Sequence, residues 1–174
     1  LQPDLIIANK EENVKEQIEN IACNYNVYVT DISTLEDALQ MTGNIGLLTN
    51  TSSKANTIIN NIEIGFGKIK PIKKLRTAYL IWQNPYMTIG KDTFIHDMLT
   101  RCGFKNIFAS QTRYPTIDVD DIREKRCELL FLSSEPYPFK QKHIDELQKQ
   151  LPGTKIMLVD GEMFSWYGSR LLHA

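Results

Sequence analysis

The amino-acid sequence predicts an α/β fold: two parallel-sheet α/β lobes joined by a long helix, with the N-terminal lobe incomplete. Three observations carry this expectation. Short continuous apolar runs alternate with stretches of helical periodicity, the pattern of a parallel sheet covered by helices. One periodic stretch, from Thr51 to about Lys70, is longer than its neighbours. Two strand-like runs precede it and three follow it.

Taken in order, Asp4–Ala8 is an apolar run that reads as a buried parallel strand. Residues 11–23 read as a helix, with acids in its first turn and Val14, Ile18 and Ile21 on one face. Val27–Val29 is a second strand, and Ser33 or Thr34 opens a helix with a capping pattern. The long helix carries Ala55, Ile58, Ile59, Ile62 and Phe66 at helical spacing. At ~1.5 Å per residue it would be roughly 30 Å long, and Pro71 is expected to stop it. The alternation then resumes with strands at 77–82, 128–132 and 155–159 and helices at 92–102 and 140–150. A last helix is expected from Ser165 onward. These elements set the expected boundaries: residues 1–50 for the remainder of the N-terminal lobe, 51–72 for the joining helix and 73–174 for the C-terminal lobe. Two strands cannot bury a core on both faces, so an earlier part of the first lobe is expected to be missing.

The chain has 174 residues and a formal net charge of −1, which gives no electrostatic case for nucleic acid or an anionic membrane. No apolar run approaches the ~20 residues that span a bilayer. The start, Leu1-Gln2-Pro3-Asp4, lacks a basic, signal-type pattern and reads as an internal start. Cys23, Cys102 and Cys127 have neither metal-site nor redox spacing and read as buried free thiols. Gly65-Phe66-Gly67 follows a helix rather than a strand, which removes the context a dinucleotide fingerprint needs. His96, His143 and His173 form no i, i+4 pair and read as surface or capping residues. Ser133-Ser134 lacks the glycine-flanked elbow of a serine nucleophile.

The loops are more informative. Trp82–Thr88, Ser134–Phe139 and Gly161–Tyr167 each follow a strand and are rich in rings, and Arg113-Tyr114 lies nearby. In an open parallel sheet, loops at the carboxyl ends of strands share one edge, and ligands bind there. Large amphipathic rings suit a bulky ligand with apolar faces and polar edges.

Together, "PDLIIA" with "NKEEN", the helix of residues 51–70, "AYLIWQNPYMTIGKDTFIHDMLTRCGFKNIF" and "LVDGEMFSWYGSRLL" resemble the class III periplasmic solute-binding proteins of ABC importers. This is the helical-backbone metal receptor superfamily, with receptors for cobalamin, haem and ferric siderophores. The resemblance implies a protein with no chemistry of its own and no cofactor. It would capture a metal chelate or corrinoid between the lobes, in the periplasm or cell envelope, and deliver it to a permease. Asn9 stands where cobalamin receptors carry a Trp in the first lobe, and Tyr114 where they carry one in the second. The expected ligand contacts are Asn9, Trp82, Tyr86, Arg113, Tyr114, Trp166 and Tyr167, with Arg113 and Arg170 adding positive charge at the rim. The family docks on its permease through one acidic residue per lobe. Asp120 matches in the second lobe; Glu12 and Glu16 flank the matching position, Lys15, in the first. An α/β enzyme or enzyme subunit using the same cleft is the alternative, and a sensor or chaperone-like module the third reading. An open two-strand lobe also implies that the chain self-associates or leaves residues 1–50 mobile.

Overall fold

The computed structural model describes residues 2–70 and 74–173, and the expected stop at Pro71 lies outside them. The chain forms two compact units, residues 1–32 and 33–174.

The first unit is one strand–helix–strand repeat. β1 (Ile6–Asn9) and β2 (Val27–Thr30) pair in parallel, with Ile7 opposite Tyr28 and Ala8 opposite Val29. α1 (Lys15–Ala22) joins them and starts four residues later than expected. The cause is local. The Asn9 side chain accepts from the Glu11 amide, and the Asn13 side chain accepts from the Asn9 amide, both at 2.7 Å. These Asx-type bonds give residues 10–13 a turn in place of the first helical turn. Ile7 and Val29 project to opposite faces of the pair and are each about half exposed. α1 buries none of its residues.

In the second unit, α2 (Leu35–Leu48) opens with the expected cap. Thr34 Oγ1 accepts from the Asp37 amide at 3.1 Å, and Asp37 accepts from the Thr34 amide at 2.9 Å. α3 (Ser52–Phe66) is shorter than the expected helix: it ends at Phe66 with Gly67 as its C-cap rather than near Lys70. It packs against α2, most closely where Gly46 meets Ala55; a Cβ at Gly46 would lie 2.5 Å from that of Ala55.

The rest builds the main sheet. β3 (Arg76–Leu80) leads through β4 (Tyr86–Met87) to α4 (Phe94–Arg101) and β5 (Lys105–Asn106). β6 (Thr116–Ile117) and α5 (Val119–Glu124) follow, then β7 (Leu129–Ser133), α6 (Gln141–Gln150) and β8 (Lys155–Val159). The sheet order is β5-β3-β7-β8, all parallel, while β4 and β6 form a small antiparallel pair. Every residue of β7 is buried, as a central parallel strand with both faces covered requires. One face packs Ala78, Leu80, Leu130 and Leu132 against Ile122 of α5 and Leu147 of α6. The other packs Tyr79, Leu129 and Phe131 against Ile95 and Leu99 of α4. α2 is bolted to α4: Asp97 accepts from the Leu35 amide at 2.8 Å, and Arg101 bridges Asp97 and Glu36. The helix expected from Ser165 is instead a short α7 (Glu162–Ser165) and a 3-10 turn (Ser169–His173). Gly168 breaks them apart with φ of +86°.

Candidate ligand-binding site

Four connections leave the carboxyl edge of the sheet, after β3, β5, β7 and β8. Arg113 and Tyr114 therefore sit on the rim as well, since β5 ends at Asn106.

After β3 the chain turns sharply. Ile81 N donates to Met87 O at 3.0 Å and Met87 N to Trp82 O at 3.2 Å, which leaves Trp82 at the turn, 41% exposed. Its ring meets Tyr137 edge-on, with centroids 5.7 Å apart. Tyr86 is half-buried and joins the core on the α5–α6 face, whereas Tyr114 joins the opposite one. Burial pushes the Tyr86 hydroxyl above the ordinary phenol value, against the Gln83 hydrogen bond. Buried polar groups stitch this connection to the next. Thr88 N donates to Pro115 O at 3.0 Å, and the Asn106 amide donates to Ile89 O at 2.9 Å.

Arg113 is held in the left-handed region, φ 56°, by two hydrogen bonds. Its amide donates to Asp92 at 2.6 Å, and its carbonyl accepts from the Gly90 amide at 2.7 Å. Only glycine fits at position 90, where a Cβ would lie 2.6 Å from Gln111 O. The Arg113 guanidinium sits 5.4 Å from the centre of the Tyr114 ring, within cation–π range.

The serines after β7 hold architecture. Ser133 accepts from the Tyr79 hydroxyl at 3.1 Å and from the Glu135 amide at 3.3 Å; Ser134 accepts from the Gly161 amide at 2.9 Å. Ser165 donates to Glu135 at 2.6 Å, which ties the β7 and β8 connections together. Beyond α7, Trp166 is 52% exposed, and Tyr167 rests edge-on against Phe94 at 5.5 Å.

The expected charge at Arg170 is corrected. Arg170 pairs with Asp160 at 3.2 Å and Glu162 at 3.0 Å, so its charge is spent within the rim. Asp118 and Asp121 accept from each other's amides at 2.8 and 2.9 Å and cap α5. Asp120 takes no part in that cap; it is exposed and pairs with Arg123. In the first unit, Asn9 ends β1, Glu12 is exposed in the turn, and Glu16 is exposed in the first turn of α1.

The structure thus brings Trp82, Arg113, Tyr114, Trp166 and Tyr167 to one sheet edge, with Tyr86 reaching toward α6. Sequence reasoning passed over Gln83 and Tyr137 as individual residues, although both lie in ring-rich loops; His143, read as a surface or capping residue, caps α6 and is buried. Among the described residues, no group of three or more His, Cys, Asp or Glu side chains is placed to hold a metal ion. The rim offers aromatic faces and few unpaired charges, the chemistry of a binding surface.

In an open parallel sheet the carboxyl edge is where ligands bind. Residues 1–155 match the periplasmic binding protein family, and the chain belongs to it. A vitamin B12-binding protein of Vibrio vulnificus (strain CMCP6) is 25% identical over 142 residues, covering 76% of this chain and 51% of its own length. The chain thus spans about half the length of that curated relative. A possible iron-binding periplasmic solute-binding protein from Staphylococcus epidermidis superposes with a TM-score of 0.78 at 20% identity, covering 98% of this chain and 72% of its own. A periplasmic haem-binding protein of Vibrio cholerae gives 0.75 at 19% identity, covering 98% and 73%.

Proposed function

We propose that the protein is the solute-binding component of an ABC importer, acting at the periplasm or cell envelope. It captures a metal chelate — a haem, a ferric siderophore or a cobalamin-like corrinoid — and hands it unchanged to the permease. The carrying observation is the pair of half-exposed tryptophans, Trp82 and Trp166, at one carboxyl sheet edge, beside Tyr114, Tyr167 and Arg113. Large amphipathic rings suit a flat ligand with apolar faces and polar edges. Membership of the periplasmic binding protein family supports the reading, and relatives named for vitamin B12, iron and haem support the ligand class.

Arg113 would meet a ligand carboxylate, as on haem propionates or a siderophore. Asn9, at the end of β1, would meet the ligand from the first lobe. Asp120 and the Glu12–Glu16 pair would face the permease. The test is a titration of tryptophan fluorescence with haemin, cyanocobalamin and a ferric hydroxamate, with each ligand recovered afterwards. The expected result is saturable quenching by one of them and recovery of that ligand unaltered. A product of altered mass would favour an enzyme on the same fold.

A further inference from the structure

His143, in the first turn of α6, is 3% exposed. Its Nδ1 accepts from the Lys140 main-chain amide at 2.8 Å. A main-chain amide only donates, so Nδ1 carries the lone pair and the neutral ring holds its proton on Nε2. Nε2 faces the Tyr137 hydroxyl across a long hydrogen bond of 3.4 Å. The proton on Nε2 sets the direction of every bond beyond it. The ring donates to Tyr137, and Tyr137 gives its own proton to Gln83 Oε1 at 2.8 Å, an oxygen that only accepts. The nitrogen of the same amide donates to the Tyr86 hydroxyl at 3.4 Å. A one-way chain of four hydrogen bonds runs from the start of α6 to the connection after β3.

Tyr137 holds three consecutive residues of that connection. Its main-chain amide donates to Ile81 O at 3.2 Å, its ring meets the Trp82 ring at 5.7 Å, and its hydroxyl bonds the Gln83 side chain. Its ring also lies 5.5 Å from that of His143. An exposed ring ordered before the ligand arrives does not lose that freedom on binding.

We propose that Tyr137, with its proton direction set by His143, is the positioning residue that fixes Trp82 at the ligand rim. This rests on the reading that Trp82 contacts the ligand. Tyr137 itself need not touch the ligand, because its hydroxyl is committed inward.

The test uses the full-length protein labelled with 5-fluorotryptophan, the Trp82 fluorine resonance being assigned with Trp82→Phe. The wild type gives one narrow Trp82 line. Tyr137→Phe, which keeps the ring and removes the hydroxyl, splits or broadens it. His143→Leu does the same, whereas His143→Gln, which retains a donor toward Tyr137, restores a single line. Affinity for the bound probe, haemin or cyanocobalamin, falls roughly three- to tenfold in Tyr137→Phe, the scale of one neutral hydrogen bond. That loss disappears in a Trp82→Ala background. An unchanged Trp82 line in both Tyr137→Phe and His143→Leu overturns the proposal, as does a full affinity loss that persists without Trp82. A wild type that binds neither probe overturns the rim reading instead, and the fluorine line then decides the clamp alone.

Discussion

Three aspartates within four residues divide two jobs between them. Asp118 and Asp121 cap α5 through each other's amides, so replacing either lowers stability by about 1 kcal/mol. Asp120 lies outside that cap, exposed and paired only across the surface with Arg123, a kind of pair worth little to folding. Asp120→Asn should therefore leave melting temperature and ligand affinity nearly unchanged while slowing association with the permease, most at low salt. Association kinetics measured against salt check this, with Glu12→Gln/Glu16→Gln as the companion variant in the first lobe; unchanged rates in both remove the docking assignment. The cysteines separate by burial in the same way. The expected burial holds for Cys127 but is corrected for Cys23, which is exposed on a helix end that buries nothing; burial pushes the Cys127 thiol up to about 11. Its folded value lies above the ordinary thiol value of 9.0, so the neutral thiol favours the native state below pH 9, and that contribution is lost as pH rises through about 11. Timed alkylation at pH 8 should modify Cys23 rapidly and Cys127 only at the rate of unfolding; rapid labelling of Cys127 in native protein would contradict its placement.

At the scale of elements, the α2–α3 contact depends on the missing side chain of Gly46. Gly46→Val should lower stability by about 1–3 kcal/mol through overpacking on Ala55, and Ala55→Gly should recover part of it. Thermal melts of both variants and the double variant decide this, and additive effects would place the clash elsewhere. What could be read from the sequence depends on how local each cause is. The Thr34–Asp37 cap and the apolar run Leu129–Leu132 of β7 depend on neighbours in sequence, and both were legible. The late start of α1 depends on two asparagine side chains turning back on the backbone, which acidic periodicity at 11–16 masks. β4 and β6 are two residues each and exist through pairing across thirty residues, so they leave no local pattern. The ring-rich loops were legible as a set because strand ends share an edge. The split between Tyr86 on one core face and Tyr114 on the other was not, since it depends on packing. Arg170 looked available because its pairing with Asp160 and Glu162 is made back across α7 rather than between sequence neighbours.

For the whole molecule, the two units differ in how well each is buried. β1 and β2 leave Ile7 and Val29 about half exposed, and α1 buries nothing, while β3 and β7 are enclosed on both faces. Hydrogen exchange on the 174-residue chain should therefore show residues 6–30 exchanging well before residues 76–80 and 129–133. Association of the chain through the open pair would protect residues 6–30 as concentration rises, and equal protection in a monomer would contradict the prediction. The central claim is that the rim captures an intact chelate and does nothing else to it. Native mass spectrometry of the full-length protein, offered haemin, cyanocobalamin and ferric siderophores together, tests that most directly. The expected result is a single 1:1 adduct whose added mass equals one unmodified ligand, and its loss or marked weakening in Trp82→Ala/Trp166→Ala. No adduct with any of them, an adduct of altered mass, or binding indifferent to both tryptophans would contradict it.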